Sequence, residues 1–187
     1  MFSLEECQRS GSVFDNTKLL WVNQQHMAFL SEEELGDQLQ SVLETREVDI
    51  TAGPAPAKLA AVLQDRAQTF SEMADQAIIF YTDTIEFDEK AAKKQLRPVS
   101  LPVVTELAAR LETVTSWQAA SLKDVINDLA RDLDIGFGKI GQPLRVAITG
   151  SSASPDIADT LELIGKSRSL ARIAAAIVYM EERAASA

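Results

Sequence analysis

The chain has 187 residues, 46% of them hydrophobic and 25% charged, with a formal net charge of −10. That length can bury a core in one domain or in two small ones, while the acidic balance argues against a general nucleic-acid binder built on clustered cations. No apolar run reaches bilayer length, and one cysteine (Cys7) with one histidine (His26) allows neither an internal disulfide nor a Cys/His zinc cluster.

The opening "MFSLEECQRSG" lacks the basic and apolar regions of a secretory signal, so a cytoplasmic location is expected. Neither Cys7 nor His26 sits near a nucleophile elbow, and no Cys-His pair or Ser-His-Asp triad is expected from them. In "FDNTKLLWVNQQHMAFL", Asp15 reads as a helix N-cap, and Leu19, Leu20 and Trp21 start an apolar face. "SEEEL" at 31–35 is a capping box of Ser31 with Glu34, leading into Leu35, Leu39, Val42 and Leu43. "TAGPAP" at 51–56 is a break, after which Leu59, Val62, Leu63 and later Phe70 are apolar positions. "SEMADQAIIFYT" and "DTIEFDEKAAKKQL" follow. Pro98 and Pro102 punctuate the approach to a helix carrying Val104, Leu107, Leu111 and Val114. Leu122, Val125, Ile126, Leu129 and Leu133 are spaced by three and four, which places them on one helical face. The last helix shows Leu170, Ile173, Ala174 and Ile177. There is no repeat, no low-complexity tract and no strand alternation, so the expected fold class is all-α.

Two arginines stand out from this pattern. Arg66 is seven after Leu59, four after Val62 and three after Leu63, which puts it on the apolar stripe. Spacing alone leaves two readings: an arginine snorkelling at the core edge or paired with a carboxylate, or a guanidinium aimed at a ligand. Arg145 lies in "QPLRVAITGSSASPD", where a Gly-Ser-Ser-Ala loop precedes Ser154 as N-cap and Pro155 at the first helical position. That stretch is either a plain helical connection or a surface presenting Arg145 and a helix N-terminus.

"VFDNTKLLWVNQQHM", "DRAQTFSEMADQAIIFY", "FDEKAAKKQLRPV" and "GFGKIGQPLRVAITGSSASPDIADTLELIGKSRSLARI" together resemble, in order, the C-terminal part of bacterial glutamyl-tRNA synthetase. The family's catalytic half, with its HIGH-type motif and KMSKS-type lysine loop, has no counterpart in these residues. "IGKSRS" at 164–169 has a passing likeness to that loop, but its place before the last helix reads as a helix–helix junction. "MFSLEECQRSGSVFD" is also shorter than the family's usual approach to this region, so a fragment or natural truncation is expected, without catalysis of its own.

The resemblance implies an all-α anticodon-binding helix bundle in two small subdomains, residues 1–86 and 87–187. Its partner would be the anticodon arm of tRNA-Glu, bound by a monomer, with no DNA and no membrane. The chain itself would hold no cofactor, since ATP and magnesium serve the full-length enzyme that ligates glutamate to tRNA. By the family pattern the reader of the third anticodon base falls on Arg66, and the readers of the first two on Arg145, Ser154, Pro155 and Ile157. Serine and isoleucine stand where threonine and leucine also occur.

These residue types suit the task, because loop bases are recognised by stacking and by contacts to their exposed edges. Arginine offers a planar fork of donors, a capped helix N-terminus offers free N–H groups, and Ile157 would offer an apolar surface. Asp156 would repel phosphates. At Arg66, a guanidinium can donate to cytosine O2 and N3, whereas guanine presents a donor edge. Lys18, Lys93, Lys94, Arg97, Lys139, Lys166 and Arg168 are candidates for phosphate contacts. The alternative is a helical protein-interaction module of the same fold that has lost tRNA affinity.

Overall fold

Helices begin where the sequence supplies a cap. A computed structural model describes residues 14–185; Cys7 lies outside them. Asp15 accepts from the N–H groups of Thr17 (2.9 Å) and Lys18 (3.2 Å) to open α1, Asn16–Met27. Ser31 and Glu34 close their capping box at α2, Glu32–Thr45, with the Ser31 N–H donating to Glu34 Oε2 at 2.8 Å. That backbone bond, and a second from the Ser31 hydroxyl, hold the Glu34 carboxyl below its ordinary range. Pro56 starts α3 (Pro56–Leu63), Thr69 caps α4 (Phe70–Ala77), and Asp88 caps α5 (Glu89–Gln95). α6 (Leu101–Thr113), α7 (Ala119–Asp132), α8 (Gly138–Thr149), α9 (Ile157–Ile164) and α10 (Lys166–Ala185) complete the chain. The described residues contain no strand, as an all-α fold requires.

Two groups of helices pack within themselves. In the first, α2, α3 and α4 each touch the other two. Gly36 lets α2 and α3 close up, because a Cβ there would lie 2.7 Å from the Ala57 Cα. In the second, α10 lies against α6, α8 and α9, while α7 packs on α6 and α9. Leu35, Leu39, Leu43, Leu59 and Leu63 fill the first interior; Leu107, Leu111, Leu122, Ile126 and Leu129 are among those that fill the second. Each such side chain contributes about 1.5–3 kcal/mol over leaving it exposed. An exposed ion pair such as Asp128–Arg131 adds ~0–1 kcal/mol, so the apolar stripes decide the fold.

Three stripes differ from the sequence expectation, that of α7 in its last member, since Leu133 follows the helix and is 43% exposed. In α1, Leu19 and Trp21 are 52% and 55% exposed, and Met27 is the helix's buried residue. The reason is that α1 lies against the Gln64–Arg66 turn through a narrow edge. In α10 the inward face is Ser169, Arg172, Ile173, Ala176 and Met180, and Ala174 points outward.

The two groups are joined largely through main-chain atoms. Arg172, 3% exposed, donates to the carbonyls of Ile148, Ile79 and Thr82, each at 2.6 Å. Ile148 belongs to the last turn of α8, where carbonyls lack helical partners and the helix dipole favours a cation. Burial nevertheless pushes the Arg172 pKa down to about 10, with the Arg168 charge adding to the shift. Arg168 donates to the carbonyls of Phe80 (2.9 Å) and Ala52 (3.2 Å) and to the Asp83 carboxylate (3.1 Å). Gly150 ends α8 at φ 75°. Its carbonyl accepts from the Asp88 N–H at 2.8 Å, and a Cβ there would lie 2.1 Å from the Glu86 carbonyl oxygen. Only glycine meets both conditions.

Candidate nucleic-acid interface

A cleft of about 440 Å³ lies where the two helix groups meet. Arg66, Asp75 and Gln76 line it from the first group; Thr149, Ser151, Ala153 and Ser154 line it from the second. Leu63, Ile79, Phe80 and Pro155 add apolar surface.

Arg66 does not occupy the core stripe. α3 stops at Leu63 and a 3₁₀ turn, Gln64–Arg66, takes over. Three residues per turn instead of 3.6 rotate Arg66 out to an exposed position. Its guanidinium makes no hydrogen bond or ion pair among the described residues. Asp75, the carboxylate in the same cleft, is paired with Arg46 at 2.6 Å instead. Both core readings of Arg66 therefore give way to an unpartnered cation on a cleft wall.

Arg145 is half-buried and already engaged. Its Nη1 donates to the carbonyls of Ser154 (2.8 Å) and Pro155 (2.6 Å) and contacts the Ser154 hydroxyl. The side chain thus clamps the loop after Gly150 onto α8, leaving Nε and Nη2 without a partner among the described residues. Thr149 Oγ1 reinforces the loop by donating toward the Arg145 and Ser151 carbonyls and accepting from the Ser151 N–H. Burial lowers the Arg145 pKa, and the Arg66 charge lowers it further, against an opposing pull from Asp156. The two arginines thus sense one another.

The start of α9 is not where the sequence placed it. Asp156, rather than Ser154, is the N-cap, accepting from the Ala158 N–H at 2.9 Å, and the helix begins at Ile157 rather than Pro155. Aspartate and serine cap about equally well, and the Ser154 hydroxyl is occupied by Arg145 and the Pro155 carbonyl. Ile157 is 2% exposed, its side chain in the core, so it presents no apolar surface to a base. What the loop offers the cleft is Ser151, Ala153, Ser154 and an edge of Pro155.

The cations divide in the same way. Lys166 is not free for phosphate, because its ammonium donates to the carbonyls of Glu112 (2.8 Å) and Val114 (2.7 Å) at the end of α6. Arg168 is likewise consumed by the joint described above. Lys18, Lys93, Lys94, Arg97 and Lys139 are exposed, with side chains unpartnered among the described residues. Gly165, at φ 85°, makes "IGKSRS" the junction of α9 with α10.

The sequence reading missed Arg172, Gln76, Thr149 and Ser151. Arg172 gave no signal in the apolar spacing, because its neighbours on the buried face are Ser169 and Ala176 rather than large apolar residues. Among the described residues no acidic, His and Cys cluster could hold a metal, and no helix is long and apolar enough to cross a membrane.

Residues 24–177 match a family model described as an anticodon binding domain. The chain is similar to the crystal structure of a glutamate tRNA ligase from Elizabethkingia meningosepticum CCUG26117 in complex with its amino acid. The identity is 28% and the TM-score 0.87, over 96% of this chain and 35% of that one. It is also similar to the glutamate-tRNA synthetase of Elizabethkingia anophelis, at 28% identity and a TM-score of 0.82, over 95% of this chain and 34% of that one. The chain therefore spans about a third of the length of these solved relatives.

Proposed function

The chain belongs to the anticodon-binding domain family, and from that premise we propose that it is the tRNA-binding module of a glutamate–tRNA ligase. It would grip the anticodon arm of tRNA-Glu in the cytoplasm as a monomer, in two subdomains dividing between residues 86 and 87. Glutamate, ATP and magnesium would be handled by the part of such ligases that this chain does not span. The observation that carries the reading is the cleft itself, where an unpartnered Arg66 shares one space with a loop clamped by Arg145.

Arg66 would read the third anticodon base. Its free fork can donate to cytosine O2 and N3, while guanine would set donor against donor. The loop at 151–155 would meet the first two bases through the Ser151 and Ser154 hydroxyls and the unused nitrogens of Arg145. Pro155 and Ile157 would serve by fixing this surface from below. Lys93, Lys94, Arg97 and Lys139 would supply phosphate contacts, worth a fall in log affinity of roughly 0.7 per contact per unit of log salt.

A gel shift with tRNA-Glu, tRNA-Gln and an unrelated tRNA tests this directly. The expected order is tRNA-Glu tightest. Arg66→Gln should narrow the gap to tRNA-Gln by ~1–3 kcal/mol, the cost of a lost bidentate base contact in DNA readout. Equal binding to all three, or no salt dependence, would instead favour a protein-interaction module.

A further inference from the structure

We infer that Asn23 and Gln76, assisted by Gln24, are positioning residues for Arg66: side-chain amides that hold the main chain beneath it and fix where its free guanidinium stands. This rests on the proposed reading of Arg66. With no partner of its own, the guanidinium can be placed only by the backbone that carries it.

That backbone is irregular. After the 3₁₀ turn, Ala67 is extended (φ −127°, ψ 141°) before Thr69 caps α4. Three carbonyls of this segment are taken by amides from two different helices. Asn23 Nδ2, on α1, donates to the Gln68 carbonyl at 2.5 Å. Gln76 Nε2, on α4, donates to the Arg66 carbonyl at 3.0 Å. Gln24 Nε2 reaches the Asp65 carbonyl at 3.4 Å, long enough to be the weakest of the three. The Gln68 N–H donates in turn to Glu72 Oε2 at 2.7 Å, and the Ala67 side chain is fully buried, so the turn is pinned on several sides.

The residue type fits the place. A lysine or arginine could supply the same donors, but its charge would stand beside Arg66 and Arg145, which already repel one another. A neutral amide holds a carbonyl without adding to that repulsion. Asn23 does not line the cleft, so any effect it has on base choice must pass through the turn.

The test uses the full chain and two anticodon stem-loops that differ only in C or G at the third anticodon position. Dissociation constants and melting temperatures are measured for the wild type, Arg66→Gln, Asn23→Leu, Gln76→Met and Asn23→Leu/Arg66→Gln. Leucine and methionine keep volume and neutrality while removing the donor. Asn23→Leu should lower the C-over-G preference about five-fold, the equilibrium weight of one hydrogen bond, with little change in affinity for the G loop. In the Arg66→Gln background it should add nothing, because the two residues act as one unit. Equal weakening toward both loops, or an independent additive loss, would overturn the inference and leave Asn23 a packing residue. If Asn23→Leu does not fold, Asn23→Ala and Asn23→Ala/Arg66→Gln, which remove the same donor from a residue outside the cleft, decide by the same criteria. Failure of the wild type to prefer C would remove the reading of Arg66 and this inference together. A C preference that Arg66→Gln abolishes but neither amide variant alters would remove this inference alone.

Discussion

Arg172→Met puts the joint between the two helix groups to the test. The side chain is 3% exposed and binds the carbonyls of Ile148, Ile79 and Thr82, all at 2.6 Å. Methionine keeps much of the length and removes every donor, stranding the Ile148 carbonyl in the interior and those of Ile79 and Thr82 in part-buried positions. Each stranded group costs about 1–3 kcal/mol. Against this, the variant no longer buries a charge whose desolvation is evident in a pKa of about 10, and methionine packs well. The three stranded carbonyls outweigh the relief of that charge, and we expect a net loss of about 3 kcal/mol. For a chain of this size that lowers the melting temperature by roughly 10 °C. Thermal and urea unfolding followed by circular dichroism would measure it, with Arg172→Lys expected in between because it keeps the charge but not the fork. A loss below about 1 kcal/mol would refute the reasoning: other donors or water would then satisfy the carbonyls.

Gly150→Ala should destabilise by at least ~2 kcal/mol, since alanine is strained at positive φ and its methyl would collide with the Glu86 carbonyl; urea unfolding checks this, and tRNA affinity should fall with it. Glu47 is an exposed non-glycine at φ 57°. Glu47→Gly should relieve ~1–2 kcal/mol of left-handed strain at a smaller entropic cost, raising the melting temperature by a few degrees; a drop would refute it. Ser31→Ala should lower the melting temperature at about pH 6 and matter less near pH 3. Glu34 has its folded pKa depressed, so its capping contribution is present above its unfolded value and lost as pH falls through the folded one. Parallel melting curves of the two proteins at both pH values would contradict that.

What the sequence made legible was local. Asp15 and the Ser31–Glu34 box were readable because cap and capped groups lie within three residues of one another. The apolar stripe of α7 was readable at Leu122, Ile126 and Leu129, where the helix is regular, and not at Leu133, which follows the helix and is 43% exposed. Arg66 left the apolar stripe because the helix gave way to a tighter turn after Leu63. Arg172 escapes a reading by apolar spacing altogether, standing two, one and five residues from Leu170, Ile173 and Ile177. Ser154 and Asp156 are both good caps two residues apart, and only the engagement of the Ser154 hydroxyl by Arg145 separates them. Lys166 and Arg168 looked like free cations because their acceptors are carbonyls up to 116 residues away. Carbonyls have no letter in the sequence. Every residue carries one, so a pattern of side chains cannot show which of them needs a donor.

That anonymity has a consequence at Arg66. The frame around the turn grips carbonyls, which any replacement at position 66 would also have. The socket is therefore indifferent to the side chain it displays, and glutamine, lysine or glutamate could be seated there without rebuilding the turn. On the proposed reading of Arg66, decoding preference at that base is open to change by a single substitution, in the laboratory or by descent. The opposite wall has no such freedom, since Arg145 closes its loop with its own side chain and a new residue there would dissolve the surface it was meant to alter. One side of the cleft is exchangeable and the other is not, so on that reading variation in which tRNAs such modules accept should enter through position 66 first.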